Sequence, residues 1–158
     1  MPDISNLARA LGRVPSGLFL VTATTDSGPI GFLGSFVMQM GFEPPTVAVA
    51  IAKGRPHLDA IRAAGRCGVS VLDKPSSSVM GAFLKGRPEG GSPFDEVASS
   101  TTGRGAVVLD DALAWLDCRH AGEHETDDHV VVFGVVEDGR QLRDGEPTTH
   151  VRRDGLKY

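Results

Sequence analysis

The chain has 158 residues, 41% hydrophobic and 23% charged, with a formal charge of −4, which suits one globular domain over 1–158 with a single core. No basic stripe offsets the negative charge, which argues against a nucleic-acid binder. No run approaches the ~18 apolar residues of a membrane span, and Met1-Pro2-Asp3 opens no leader-like pattern, so the expected location is the cytoplasm.

In chain order, Ser5 is placed to cap a short helix through Gly12, with Leu7, Ala10, Leu11 and Val14 on its apolar side. Pro15-Ser16-Gly17 ends it, and Leu18 to Thr24 reads as a first strand. Asp26-Ser27-Gly28-Pro29 is a turn by composition, so the first strand pairs with Ile30 to Val37 as a hairpin. Glu43-Pro44-Pro45 breaks the pattern, and Thr46 to Ala52 alternates β-branched and small residues as a buried strand. Pro56 suits the first turn of a helix carrying Leu58, Ile61 and Ala64, which Gly65 ends. Cys67 to Leu72 is a fourth strand. Pro75 to Ser78 opens a further short helix with Val79, Met80 and Phe83.

From Lys85 to Gly105 the chain is rich in Gly, Pro and Ser, with Phe94 and Val97 as its apolar anchors, and is expected to be a long functional loop. Ala106 to Leu109, Leu113 to Arg119 and His129 to Val136 read as three more strands, and Val151 begins a last one. Many short strands with few helices point to an antiparallel β-barrel. Cys67 and Cys118 each sit inside a strand-like run and are read as reduced, buried thiols.

The stretch with most chemistry is Gly31 to His57, GFLGSFVMQMGFEPPTVAVAIAKGRPH. A strand lightened by glycines lets a ligand approach the backbone closely. Ser35 and Gln39, four apart, are expected to share one strand face. The buried strand that follows empties into Lys53-Gly54-Arg55-Pro56, whose cations can neutralise a phosphate. This combination suits a ligand with a flat apolar part and an anionic tail. Cys118, His120, His124 and His129 cluster with Glu123, Glu125, Asp127 and Asp128, but their spacing matches no zinc pattern. Gly122 to Asp128 is read as a solvated acidic turn, with no metal assigned. Neither a nucleophile triad nor a GxGxxG or P-loop pattern is legible.

Three stretches carry a resemblance: Gly31 to His57, LGRVPSGLFLVTA (Leu11 to Ala23) and DDHVVVFGVVEDG (Asp127 to Gly139). Together they resemble the flavin reductase-like, FMN-binding split-barrel family, including the flavin domains fused to flavodiiron proteins. The resemblance implies a mainly β, antiparallel split barrel with two or three short helices. It implies that Leu33, Gly34, Ser35 and Phe36 supply amides and a hydroxyl to the flavin ribityl-phosphate. Gln39, Met40, Gly41 and Phe42 would lie along the isoalloxazine ring. Lys53 and Arg55 would hold the phosphate, with Phe83 and Lys85 at a further phosphate position. His129 would sit near the reactive face and take part in nicotinamide binding. Apolar or bare residues at Leu33, Met38, Met40 and Gly41 replace the commoner hydroxyl and amide side chains, so backbone amides carry more of the recognition. Asp127 stands where glycine is usual.

The activity implied is that of an NAD(P)H:flavin oxidoreductase, with FMN as cofactor and FAD as the alternative. NAD(P)H would bind transiently at the flavin site, since no dinucleotide fingerprint is present. The resemblance also implies a homodimer with each flavin site built from both chains, and a monooxygenase or other electron acceptor as partner. A tightly bound FMN electron carrier without nicotinamide turnover is a second reading, and a barrel that has lost flavin a third.

Overall fold

The computed structural model describes residues 3–85 and 90–158, so residues 86–89 of the expected loop and Met1-Pro2 lie outside the described residues. Helix α1 (Asn6–Gly12) starts where Ser5 accepts the Ala8 amide at 3.2 Å. The side it buries is not the predicted one. Leu7, Leu11 and Val14 are exposed, whereas Ala8 and Gly12 are buried. The small residues lie against the segment around Arg152, whose amide donates to Gly12 O at 3.1 Å. Only small residues admit such backbone contact, and apolar periodicity does not register it.

Strands β1 (Phe19–Thr25) and β2 (Gly28–Gly34) form the expected hairpin around Asp26-Ser27. Here the sequence expectation of one strand from Ile30 to Val37 fails. The chain leaves β2 at Gly34, passes through Ser35 and Phe36, and starts β3 (Val37–Phe42). Ser35 and Gln39 therefore belong to different segments and do not share a strand face. After the Glu43-Pro44 turn, β4 (Pro45–Ala52) pairs with β3. Helix α2 (Pro56–Ala64) has Pro56 in its first turn and ends on Gly65 at φ 70, a left-handed position that glycine occupies without strain. Strand β5 (Arg66–Val71) follows, then a 3-10 turn capped by Asp73 and helix α3 (Ser77–Leu84).

The expected loop contains a short strand β6 (Ser99–Thr101), paired with β7 (Val107–Leu109) as a separate ribbon. Strands β8 (Ala114–Glu125) and β9 (His129–Gln141) form a long hairpin. Both run past their predicted ends, and Gly122 to Glu125 of the expected acidic turn is strand paired with β9. His129 opens β9 as expected. Val151 begins no strand, since the chain there makes only the isolated bridge of His150 with Ser16.

The strand order β2-β1-β5-β8-β9-β4-β3 explains the overall shape. The outer strands, β2 and β3, are consecutive in the chain and joined by Ser35 and Phe36 alone. A flat seven-stranded sheet would hold its edges roughly 29 Å apart at about 4.8 Å per strand. Two linking residues reach only about 10 Å. The sheet must curl until its edges meet, which gives a split barrel. The Ala50 amide donates to Phe36 O at 2.9 Å, which carries the β3–β4 ladder one pair into the link.

Inside the curl, Val21, Val47, Val49, Ile51, Val69, Val130 and Val132 pack with Leu58 and Ile61 of α2. Leu18, Leu20, Leu72, Val79 and Leu109 form a second cluster. Strand β1 thus buries residues on both faces. Cys67 and Cys118 lie opposite one another as buried free thiols. Among the described residues, no helix is long and apolar enough to cross a membrane.

Candidate functional site

A cavity of about 340 Å³ opens at the seam, walled by β2, the Ser35–Phe36 link, Ala50 and Ala52 of β4, Arg55, His57, Phe83 and Tyr158. Its volume lies within the usual range for small-molecule sites. Strand register decides what the β2 backbone offers to it. Pro29, with no N–H, sits opposite Thr24 at a position that needs no ladder bond. Gly31 and Leu33 share its parity, so their amides and carbonyls turn away from β1 toward the open edge. Gly31 O accepts a hydrogen bond from His57 Nε2 at 3.1 Å, as that orientation requires.

Gly31 has little room for a side chain. A Cβ there would come within 3.3 Å of the Phe94 ring and 3.4 Å of the Phe83 ring. These two rings meet edge to face at 5.2 Å, and Phe83 lines the cavity. His57 packs against Phe32 at 4.9 Å between ring centres. Burial holds its pKa below the ordinary value, with Arg55 adding to the effect and the Gly31 carbonyl opposing it. The ring is therefore neutral at pH 7, protonated on Nε2, and its Nδ1 is a buried acceptor without a partner among the described residues.

The cations separate. Arg55 lines the cavity, with its guanidinium 5.6 Å from the Tyr158 ring centre, and has no carboxylate partner among the described residues. Lys53 instead pairs with Glu125 at 2.6 Å and faces a neighbouring hollow along α2. Lys85 pairs with Glu96 at 2.8 Å. Glu123 of the acidic ribbon is also engaged: Arg62 grips it at 2.7 and 2.8 Å and lowers its pKa to about 2.

His129 stands on the far side of Phe36, 5.7 Å between ring centres. Its Nδ1 lies 2.8 Å from Asp128 Oδ1, and Nε2 bonds the Tyr158 hydroxyl. The carboxylate fixes the proton on Nδ1, so the neutral phenol donates to Nε2. Partial burial pushes the Tyr158 phenol above its ordinary pKa, with Arg55 pulling the other way. The Arg152 guanidinium lies 4.9 Å from the Phe36 ring centre.

Of the residues singled out from sequence, the structure brings Leu33, Gly34, Ser35, Phe36, Arg55 and Phe83 to one cavity. His129 borders an adjoining hollow that shares Phe36 and Tyr158. Gln39, Met40, Gly41 and Phe42 lie on edge strand β3, outside the walls of this cavity. Sequence reasoning missed His57, Arg152 and Tyr158. The position of His57 just after Pro56 was visible, but its bond to a carbonyl 26 residues earlier was not. Tyr158 is the only tyrosine in the chain, a signal without a stated partner.

Residues 11–155 match the family described as flavin reductase like domain. Diflavin flavoprotein A 1 of Synechocystis sp. is 34% identical over 156 residues, 98% of this chain and 27% of that protein. Putative diflavin flavoprotein A 3 of Synechocystis sp. is 36% identical over 152 residues, 95% of this chain and 25% of that protein. The chain thus spans about a quarter of the length of these curated relatives. Among solved structures, a homolog of nitrilotriacetate monooxygenase component B from Mycobacterium thermoresistibile superposes with a TM-score of 0.83 at 26% identity, covering 92% of this chain and 80% of that one. NADH:FAD oxidoreductase SgcE6 of Streptomyces globisporus has a TM-score of 0.83 at 23% identity, covering 96% and 93%, a likeness of fold. With nearly its whole length matched, the chain belongs to the flavin reductase like domain family.

Proposed function

We propose that the chain, as one domain over 1–158, is an NAD(P)H-dependent flavin reductase with FMN in the seam cavity. The observation that carries this reading is the seam itself: outward amides of Gly31 and Leu33, a bare Gly31, and Arg55 with no carboxylate partner among the described residues, all beside Phe36, with His129 in the adjoining hollow. These residues fit a flavin. The amides and Ser35 suit the ribityl chain, Arg55 its phosphate, and the flat apolar wall its ring. We take FMN over FAD because Arg55, which lines the cavity with no carboxylate partner among the described residues, suits one terminal phosphate. Bound there, the flavin would supply the hydride acceptor.

The chain's own residues would bind, orient and exclude water. Arg55 neutralises the anionic end. His57, neutral, holds the Gly31 carbonyl and with it the β2 edge. His129, with Nδ1 committed to Asp128, keeps Nε2 as an acceptor that could orient the carboxamide N–H of a nicotinamide. The matches to components of monooxygenase systems support a separate oxygenase or other electron acceptor as partner. Met38, Met40 and Phe42 project from an edge strand and support a homodimer, through which β3 could reach a second copy's flavin. Buried free thiols fit a reducing compartment, the cytoplasm.

The test is anaerobic titration of the FMN-loaded protein with NADH and NADPH, followed at the flavin absorbance. Bleaching is expected, and His129→Ala should keep the flavin but reduce it about 5- to 150-fold more slowly, the worth of one hydrogen bond of ~1–3 kcal/mol. A flavin that stays oxidised with both nucleotides would reject the reductase. It would favour an electron-carrier role, a reading that has one observation behind it, the Tyr158 contact covering His129.

A further inference from the structure

We propose that the Tyr158 ring occupies the subsite of a nicotinamide, and that a nicotinamide dinucleotide binds beside Phe36 and His129 only after this ring swings out. The proposal takes the identity of its ligand from the flavin reductase reading.

Phe36, His129 and Tyr158 form a nearly equilateral triangle, with ring centres 5.7, 5.6 and 5.8 Å apart. The phenol is a flat ring whose polar tip hydrogen-bonds His129 Nε2. A nicotinamide is likewise a flat ring, and its carboxamide N–H can satisfy the same nitrogen. Two guanidiniums attend the triangle, Arg55 at 5.6 Å from Tyr158 and Arg152 at 4.9 Å from Phe36. With Arg55 given to the FMN phosphate, Arg152, which also donates to Lys157 O at 3.1 Å, is the cation placed to meet the pyrophosphate of a dinucleotide.

Tyr158 also stands between two hollows, the seam cavity and one of about 300 Å³ lined by His129, Arg152 and Lys157. Both are walled by Phe36 and Tyr158, so rotation of this one side chain would join them into a groove running from β2 to His129.

The segment that carries Tyr158 is held, but its ring is not. The Gly155 amide donates to Ala8 O at 2.7 Å, and Arg13 donates to Arg152 O at 2.6 Å. A Cβ on Gly12 would overlap the Arg152 carbonyl, and one on Gly155 would overlap Leu11, so the segment is seated on α1 with no slack. Tyr158 itself is 67% exposed. Among the described residues its ring is kept in place by the hydrogen bond to His129, by ring edges and by the Arg55 guanidinium, all of which a side-chain rotation releases without moving the backbone. A ligand that needs the open state binds with an apparent affinity reduced by the fraction of molecules open.

The experiment compares FMN-loaded wild type, Tyr158→Phe and Tyr158→Ala, titrated with NAD+ and with NADP+ by calorimetry. Tyr158→Ala should bind its preferred nucleotide about tenfold more tightly, the gain expected if about one molecule in ten is open. Tyr158→Phe keeps the ring, loses the hydroxyl bond and should fall between. Equal or weaker binding in Tyr158→Ala overturns the proposal, as does binding by none of the three. Stopped-flow reduction by NADH and NADPH on the same proteins keeps the two readings apart. Tighter binding without reduction would sink the reductase and keep the gate; reduction with unchanged affinities would remove the gate and keep the reductase.

Discussion

At the scale of single residues, charge is assigned by its partners more than by its position. Lys53 and Arg55 lie two apart at one strand exit and look equivalent as letters. In the fold Lys53 is committed to Glu125 at 2.6 Å, while Arg55 faces the seam cavity with no carboxylate partner among the described residues. A charge-assisted contact to phosphate contributes about 1.5–3 kcal/mol. Arg55→Ala should therefore weaken FMN binding by roughly 10- to 150-fold, and Lys53→Ala by less than about threefold, read by quenching of flavin fluorescence. Equal losses in the two variants would mean that Lys53 leaves Glu125 to join the phosphate. His57 teaches the same point from the other side. Its neutrality and its bond to Gly31 come from burial beside Phe32, a neighbour that no spacing rule connects to it.

At the scale of elements, the exposed edge decides where a second copy fits. Strand β3 carries Met38 at 65%, Met40 at 49% and Phe42 at 90% exposure, an apolar strip on an unpaired edge. Such edges are normally blunted by charge or covered. Covering β3 with a second chain predicts a dimer for the wild type at micromolar concentration and a monomer for Met38→Glu with Phe42→Ser, by sedimentation. A monomeric wild type would refute it. The elements themselves were largely legible: the first hairpin, β4, α2 with its Pro start and Gly stop, and His129 at the head of β9 follow from local periodicity and turn chemistry. What sequence hid is the break at Ser35–Phe36. Both residues are compatible with a strand, and only the requirement that the two sheet edges meet there interrupts it. The buried side of α1 was misread for a related reason. Close backbone packing selects Ala8 and Gly12, which carry no apolar signal to find.

At the scale of the whole molecule, two buried titratable groups make the fold sensitive to acid in separate windows. Asp73 lies two residues past β5 and receives Arg143, beyond β9, at 2.6 and 2.9 Å, so the pair ties the C-terminal segment to the sheet. The Arg143 bonds are the main reason its pKa falls to about 2, with Ser76 adding to them. The unfolded chain then binds more protons than the folded one between about pH 4 and 2, and stability is lost as pH falls through that window. His57 is also lowered, here by burial, so the unfolded chain takes up its proton first and stability begins to fall below about pH 6.5. Acid unfolding should thus proceed in two stages, and His57→Gln should flatten the first alone. Arg143→Met leaves the Asp73 carboxylate with Ser76 as its remaining partner among the described residues and should destabilise the fold at pH 7. That cost has a signature that distinguishes it from lost packing. Protonation of Asp73 removes the unpaired charge, so the gap between variant and wild type should close as pH falls toward 3. Urea unfolding of both proteins at pH 7, 5 and 3 measures it. A gap that stays constant across the series would place the role of Arg143 in packing and remove the ion pair from the account of acid stability.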